Sequence, residues 1–261
     1  VSGPLDPQQR AQQGAALQAQ LLATPATAPA TPLQAATRDF VFGEIWSRPG
    51  LDRRARYLIA ICSAACEPAS AEIIEQYLRG ALQSQALTLA ELREAALHFA
   101  AYAGWSRGMS LDAALTRVAG QLGLTPAGYA PIQTQPCSAE ARHAAGSASF
   151  IEAMRFNAPP PGVPFFEIGI VGFLFGEIWS RPGLDQRARR WITLVAAADS
   201  ASTAPIRTHS WAAMASGNAS VAEMNEFVFQ YAIHGGWPKA SVMQTTVLQM
   251  AERVAKGLSY D

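Results

Sequence analysis

Apolar residues recur along this chain at helical spacing. Leu58, Ile61, Cys62 and Ala65 share one stripe, and Leu89, Leu92, Ala96 and Phe99 share another. This is the rhythm that turns one face of a helix toward a core. No strand-like alternation broken by hairpin turns competes with it, so the pattern predicts an all-α fold. Breaks fall at proline-rich stretches: residues 23–33 (ATPATAPATPL), Leu124–Gln135 with Pro126, Gly128 and Pro131, and Ala158–Pro164 with four prolines. None of these can continue a helix. Asp52 and Asp185, each just after an Arg-Pro-Gly turn, are predicted N-caps. Thr88-Leu-Ala-Glu91 and Ser220-Val-Ala-Glu223 read as matching capping boxes.

The pattern repeats. FVFGEIWSRPGLD at 40–52 and FLFGEIWSRPGLD at 173–185 differ only at Val41 and Leu174. Each copy starts a unit of about 120 residues, the size of a small domain. The sequence therefore predicts a tandem duplication, with domains at 1–125 and 136–261 related by pseudo-twofold symmetry. Each half reads as a helix, a proline-rich crossing, then GEIW and a helical array. GEIW aligns at an offset of 133, whereas Trp105/Trp237 and the capping boxes align at 132. One residue was lost between Cys66 and the following helix. That register pairs Tyr77 with His209, His98 with Gln230, and Tyr102 with His234. The scaffold was kept while polar groups in these slots were exchanged, so two identical sites are not expected.

Composition narrows the function classes. The chain has 261 residues, enough for two compact cores. Twenty basic and twenty acidic residues cancel, so no global field would recruit nucleic acid or an anionic membrane. No apolar stretch reaches the length of a membrane span, and VSGPLDPQQR lacks the charged and apolar regions of a signal peptide. Three cysteines (Cys62, Cys66, Cys137) are too few for a disulfide framework and imply a reduced, cytoplasmic setting. There is no H-x-x-x-H, no Cys/His cluster and no Gly-rich phosphate loop, so neither a metal nor an organic cofactor is expected.

The string FGEIWSRPGLD-x-R-A-R, followed by a helix carrying a His and then by Y-A-G-W or H-G-G-W, resembles the carboxymuconolactone decarboxylase family. That family belongs to the all-helical superfamily that also contains alkyl hydroperoxidase D. The resemblance covers nearly the whole chain, once per half. It implies a lyase that removes the carboxylate of a lactone without metal or organic cofactor, and subunits that assemble, here as a dimer or trimer of fused dimers. The superfamily's peroxidase branch carries a Glu followed by C-x-x-C-x-x-x-H. Counted back from His209, the cysteine slots hold Ser202 and Pro205, and the Glu slot holds Arg190. Thiol chemistry is therefore absent from that position. Cys62 and Cys66, one helical turn apart on an apolar stripe, read as packed core.

Decarboxylation needs a cation to anchor the carboxylate, a donor for the developing oxyanion, and an acid to protonate carbon. His209 stands where the resemblance places its His and is the first catalytic candidate. His234 precedes two glycines, and site and structural roles both remain open for it. His98, beside Phe99 and Tyr102, reads first as a satisfied core histidine, and His143 as a surface one. Glu44 and Glu177 sit in apolar surroundings. Each is either clamped by Arg48, Arg56, Arg181 or Arg189, locking GEIW to the next helix, or serves as an acid or base. Trp46 and Trp179 read as packed aromatics, and Trp105 and Trp237 as candidate pocket walls. The catalytic candidates are His209, Glu177 and His234. Substrate contacts are assigned to Arg181, Arg189, Trp237, Trp179, Glu44, Arg48, Tyr77, His98 and Tyr102. The implied activity is cofactor-free decarboxylation or a related lyase step on a carboxylated or enolisable small molecule. The alternatives are a natural-product cyclase or isomerase of secondary metabolism, and a non-catalytic binding or scaffold protein.

Overall fold

In a computed structural model of the chain, residues 3–25, 27–67, 71–125, 128–132 and 138–261 are described. Cys137 lies outside them. Asp6 caps the first helix by accepting from the Gln8 amide, and Pro7 occupies the position where its missing N–H costs nothing. The elements then run α1 (Pro7–Leu22), α2 (Pro32–Ala36), π1 (Thr37–Ile45), α3 (Arg53–Ala65), α4 (Ala71–Gln83), α5 (Leu89–Ala103) and α6 (Trp105–Gln121). The second half gives α7 (Ala139–Met154), π2 (Phe165–Ile178), α8 (Gln186–Ser200), α9 (Thr203–Ala215), α10 (Val221–Gly235) and α11 (Trp237–Ala255). Among the described residues no strand occurs, and no helix is long and apolar enough to cross a membrane.

Both capping boxes form, with Thr88 and Ser220 each exchanging hydrogen bonds with the Glu three residues on. Asp52 and Asp185 cap α3 and α8, each accepting at 2.8 Å. The GEIW segments are not ordinary α-helices. Both run as wide π turns, whose i to i+5 bonds end with the Trp46 amide on Val41 (3.0 Å) and the Trp179 amide on Leu174 (2.9 Å). π turns are rare, and the short ones found inside α-helices are frequent at functional sites.

The first helix of each half lies flat on its π element. Gly14 and Gly43 let α1 meet π1 backbone to backbone, and Gly146 does the same for α7 on π2; a Cβ at Gly14 or Gly146 would collide with the carbonyl of Arg38 or Val171. This close approach corrects one expectation. Glu44 and Glu177 are clamped to the preceding helix, by Arg10 (3.3 Å) and Arg142 (3.2 Å), rather than to the following one. The glycines bring α1 and α7 nearer to those carboxylates than any arginine of α3 or α8.

A second difference concerns the core. The stripe read on α3 suggested one buried face, yet Ala55–Cys66 is buried all round. Helices α3 and α8 pack against each other at the centre, with α10 on α3 and α5 on α8. The expected two cores merge into one continuous cluster drawing on both halves, with a smaller one around Phe150, Phe175 and Trp179. Cys62 and Cys66 sit inside it, and burial raises both thiols, Cys66 to about 12. A Cys62→Ala/Cys66→Ala double variant should therefore retain its turnover, because the attacking species in thiol chemistry is the thiolate. Loss of turnover in a variant with an unchanged circular dichroism spectrum would restore a redox role.

Candidate active site

The Arg-Pro-Gly turns tuck over carboxylates supplied by the other half. Arg181 grips Glu94 through two bonds (Nε to Oε2 2.9 Å, Nη2 to Oε1 2.7 Å). Arg189 reaches the same carboxylate at 3.7 Å. In the matching place Arg48 binds Glu226 (2.8 Å) and Arg56 joins it (2.9 Å). Arg181 also donates to the carbonyls of Ala130 and Pro131, strapping the connecting segment across the turn. These arginines were candidate substrate anchors, but the structure commits them to inter-half ion pairs. Breaking such a buried pair typically costs about 3–5 kcal/mol, since it leaves a charge stranded.

A largely apolar cavity of about 510 Å³ opens in the second half, within the usual range for small-molecule sites. Phe150 and Met154 of α7, with Phe165, Phe166, Ile170, Leu174 and Phe175 of π2, form its wall. His209 and Tyr102 line its inner end, with Ser200, Ser202 and Thr208 nearby. Tyr102 comes from α5, so the first half contributes to this cavity. Its ring stands edge-on to His209 at 5.6 Å between centroids, and its hydroxyl accepts from Trp179 Nε1 at 2.7 Å. Burial raises the Tyr102 hydroxyl to about 12, so it stays a protonated donor at neutral pH.

Burial, helped by the nearby charge of Arg190, pulls His209 down to about 3, so the imidazole is neutral at pH 7. Its Nδ1 is buried without a hydrogen-bond partner. Behind the two rings lies Arg190, fully buried. Its guanidinium donates to Asn218 Oδ1 (3.1 Å), Met154 Sδ (3.6 Å) and the Ala153 carbonyl, and lies 4.8 Å from the centroid of the Trp179 ring. Burial pushes it down to about 10, so it remains a cation. Every acceptor it meets is neutral.

His98 sits one layer deeper and is a satisfied core histidine, as its surroundings suggested. Arg189 Nη1 faces its Nδ1 at 3.4 Å, and its Nε2 meets Thr193 Oγ1 at 2.9 Å. Because arginine can only donate, Nδ1 accepts and the proton resides on Nε2. Burial and then Arg189 hold His98 well below its usual range. Thr193 in turn lies near the Tyr102 hydroxyl, so Arg189, His98 and Thr193 lead toward the cavity.

The corresponding place in the first half is filled. Tyr77 is fully buried, stacked on Trp46 at 5.6 Å, and its hydroxyl meets His234 Nε2 at 3.2 Å. Tyr57, in the slot matching Arg190, packs edge-on to Trp46 at 5.2 Å and donates to the Leu21 carbonyl at 2.8 Å. The pair Tyr77 with His234 thus mirrors His209 with Tyr102, but without a cation beneath it. Burial lowers His234 to about 4.

The remaining candidates lie apart from the cavity wall. Trp237 is 55% exposed at the start of α11, against Phe40 and Phe229, and Trp105 is 54% exposed against Phe173. Neither walls this cavity, because each ring leaves its helix at the first turn, facing outward. Glu44 and Glu177 are held by their clamps, and His143 is half-buried on α7 rather than on the surface. Trp179 belongs to the site as a support for Tyr102 and Arg190. Sequence reasoning missed Arg190 as a buried cation beside the cavity. The signal was present: aligned at the 133-residue offset, Tyr57 of one copy faces Arg190 of the other, directly after the shared Arg-Ala-Arg. The aromatic wall of π2 was also missed, since the repeat was read from GEIW onward.

Comparison with known proteins finds its family match in the first half of the chain. Residues 31–117 match the model of the carboxymuconolactone decarboxylase family. The chain is 38% identical over 82 residues to the nitrosuccinic acid decarboxylase of Metarhizium robertsii, an overlap of 31% of this chain. The match spans about half, 54%, of that relative's length.

Proposed function

We propose that the chain is a tandem of two carboxymuconolactone decarboxylase-type domains, fused as a dimer would assemble, and that its second half carries the working site. The activity is cofactor-independent decarboxylation, or a closely related lyase step, on a carboxylated or enolisable small molecule. The observation that carries this reading is the apolar cavity ending at neutral His209 and protonated Tyr102 over the unpaired Arg190. The family domain at 31–117 and the decarboxylase relative support it. Contacts that recur with partners exchanged, Arg48 with Glu226 and Arg181 with Glu94, support the tandem.

In this reading the substrate carboxylate enters the positive field of Arg190, in a setting that solvates the delocalised transition state better than a compact carboxylate. As the bond to the carboxylate carbon breaks, its electron pair moves into an adjacent carbonyl- or nitro-type acceptor. Tyr102 donates a hydrogen bond to the oxygen that becomes negative. His209, drawn toward its cationic form by the bound anion, returns a proton to carbon. The neutral imidazole with its unpartnered Nδ1 also favours a second reading, in which His209 removes a proton next to a carbonyl and the product is an isomer or a ring.

The test is a panel of acids with a carbonyl or nitro group β to the carboxylate, followed by CO2 release and by deuterium incorporation from D2O. CO2 release supports decarboxylation. Exchange or rearrangement without CO2 supports the isomerase reading. Neither from any member, in folded protein, overturns both and leaves a binding or scaffold role.

A further inference from the structure

We infer that the cavity in the second half selects a monocarboxylate with an extended apolar body, and rejects small dicarboxylates. This deepens the proposed reading by naming the substrate class, and it rests on taking that cavity as the ligand site.

The charge count behind the inner end of the cavity carries the argument. Arg190 is fully buried, and among the described residues no carboxylate pairs with it. The other deeply buried arginines, Arg56 and Arg189, each have a glutamate. Arg155, exposed at the end of α7, adds a like charge from outside the cavity lining, where water screens it. A buried cation held only by a carbonyl, an amide, a thioether and a ring face leaves one elementary charge for an incoming anion to balance. His209 and Tyr102 stand between that charge and the cavity, and each presents a neutral polar group to the ligand.

The rest of the cavity offers no second counter-charge. Phe150, Phe165, Phe166, Ile170, Leu174 and Phe175 form a continuous apolar wall. Of these, Phe165 stays largely exposed, where a ligand's tail would cover it. A short diacid would have to leave its second carboxylate against these rings, where desolvation of an unpaired ion costs far more than a methyl group returns. A monoacid places its one charge against His209 and Tyr102, in the field of Arg190, and its chain along the wall.

Matched probes test this on the intact protein at pH 7, with binding followed by isothermal titration calorimetry. Hexanoate should bind at least about tenfold more tightly than adipate or hexanamide. Octanoate should gain about another tenfold over hexanoate, from two more buried methylenes. In an Arg190→Met variant the preference for hexanoate over hexanamide should vanish. In a Phe166→Asp variant the gain from hexanoate to octanoate should vanish. If Arg190→Met does not fold, the wild-type series decides alone. Equal affinity for hexanoate and adipate, equal affinity for acid and amide, or no binding by any probe overturns the inference. Monoacids that bind as expected while no acid in the reactivity panel turns over would leave the inference standing and remove the decarboxylase reading. CO2 release from diacids alone would do the reverse.

Discussion

A His209→Asn variant is expected to lose about 10²- to 10⁴-fold in kcat while folding normally and changing KM little. Asparagine keeps a polar group of similar size at the inner end of the cavity and can still hydrogen-bond a ligand, but it cannot carry a proton to or from carbon. Burial and Arg190 together hold the free imidazole near 3, so its protonated form becomes available only when a substrate anion offsets that charge. The loss should therefore appear in the chemical step. Tyr102→Phe, which deletes the oxyanion donor without opening a void, should cost about 10²- to 10³-fold. Tyr77→Phe should cost little, since that hydroxyl faces His234 in a filled slot rather than a cavity. Steady-state kinetics on any substrate found by the reactivity panel would measure all three. Equal, large losses from Tyr77→Phe and His209→Asn would mean one site shared between the halves. An unchanged kcat in His209→Asn would remove the central catalytic assignment.

How much of this could be read from the sequence depends on whether the information is local. The capping boxes at Thr88 and Ser220, the caps at Asp52 and Asp185, and the helical class are set by neighbours within a turn, and all were legible. The partner of Glu44 was not. It depends on Gly14 and Gly43 letting α1 settle onto π1, a contact between segments 30 residues apart whose direction no periodicity encodes. The same limit hid the commitment of Arg181 and Arg48 to glutamates of the other half. Register, by contrast, carried more than local pattern. Pairing Tyr77 with His209 and Tyr102 with His234 singled out four slots, which the structure joins crosswise, His209 with Tyr102 and Tyr77 with His234. Extending the same register to Tyr57 and Arg190 would have found the buried cation as well.

The buried imidazoles that shape the site should also make the fold acid-sensitive in a defined window. His98, His209 and His234 all sit below the ordinary value near 6.5, His209 at about 3 and His234 at about 4, with burial the main cause in each. Below pH 6.5 the unfolded chain takes up protons at these positions while the folded chain does not. Stability is therefore complete above pH 6.5 and falls as the pH drops toward the folded values. At pH 5 each neutral imidazole represents roughly 2 kcal/mol on this account, about 6 kcal/mol for the three. That is comparable with the total stability of many domains. Carboxylates held low by their ion pairs, such as Glu226 and Asp199, lose their contribution only below the carboxylate range, so they do not confuse this window. Urea unfolding at pH 7.5, 6 and 5 should show the midpoint dropping steeply over the last step. Replacing His98 by Gln, the residue that meets Arg56 in the matching slot, should remove about a third of that dependence, because the amide can accept from Arg189 without titrating. A midpoint independent of pH between 7.5 and 5 would show that these imidazoles reach water, and with it the dry inner end of the cavity would be lost.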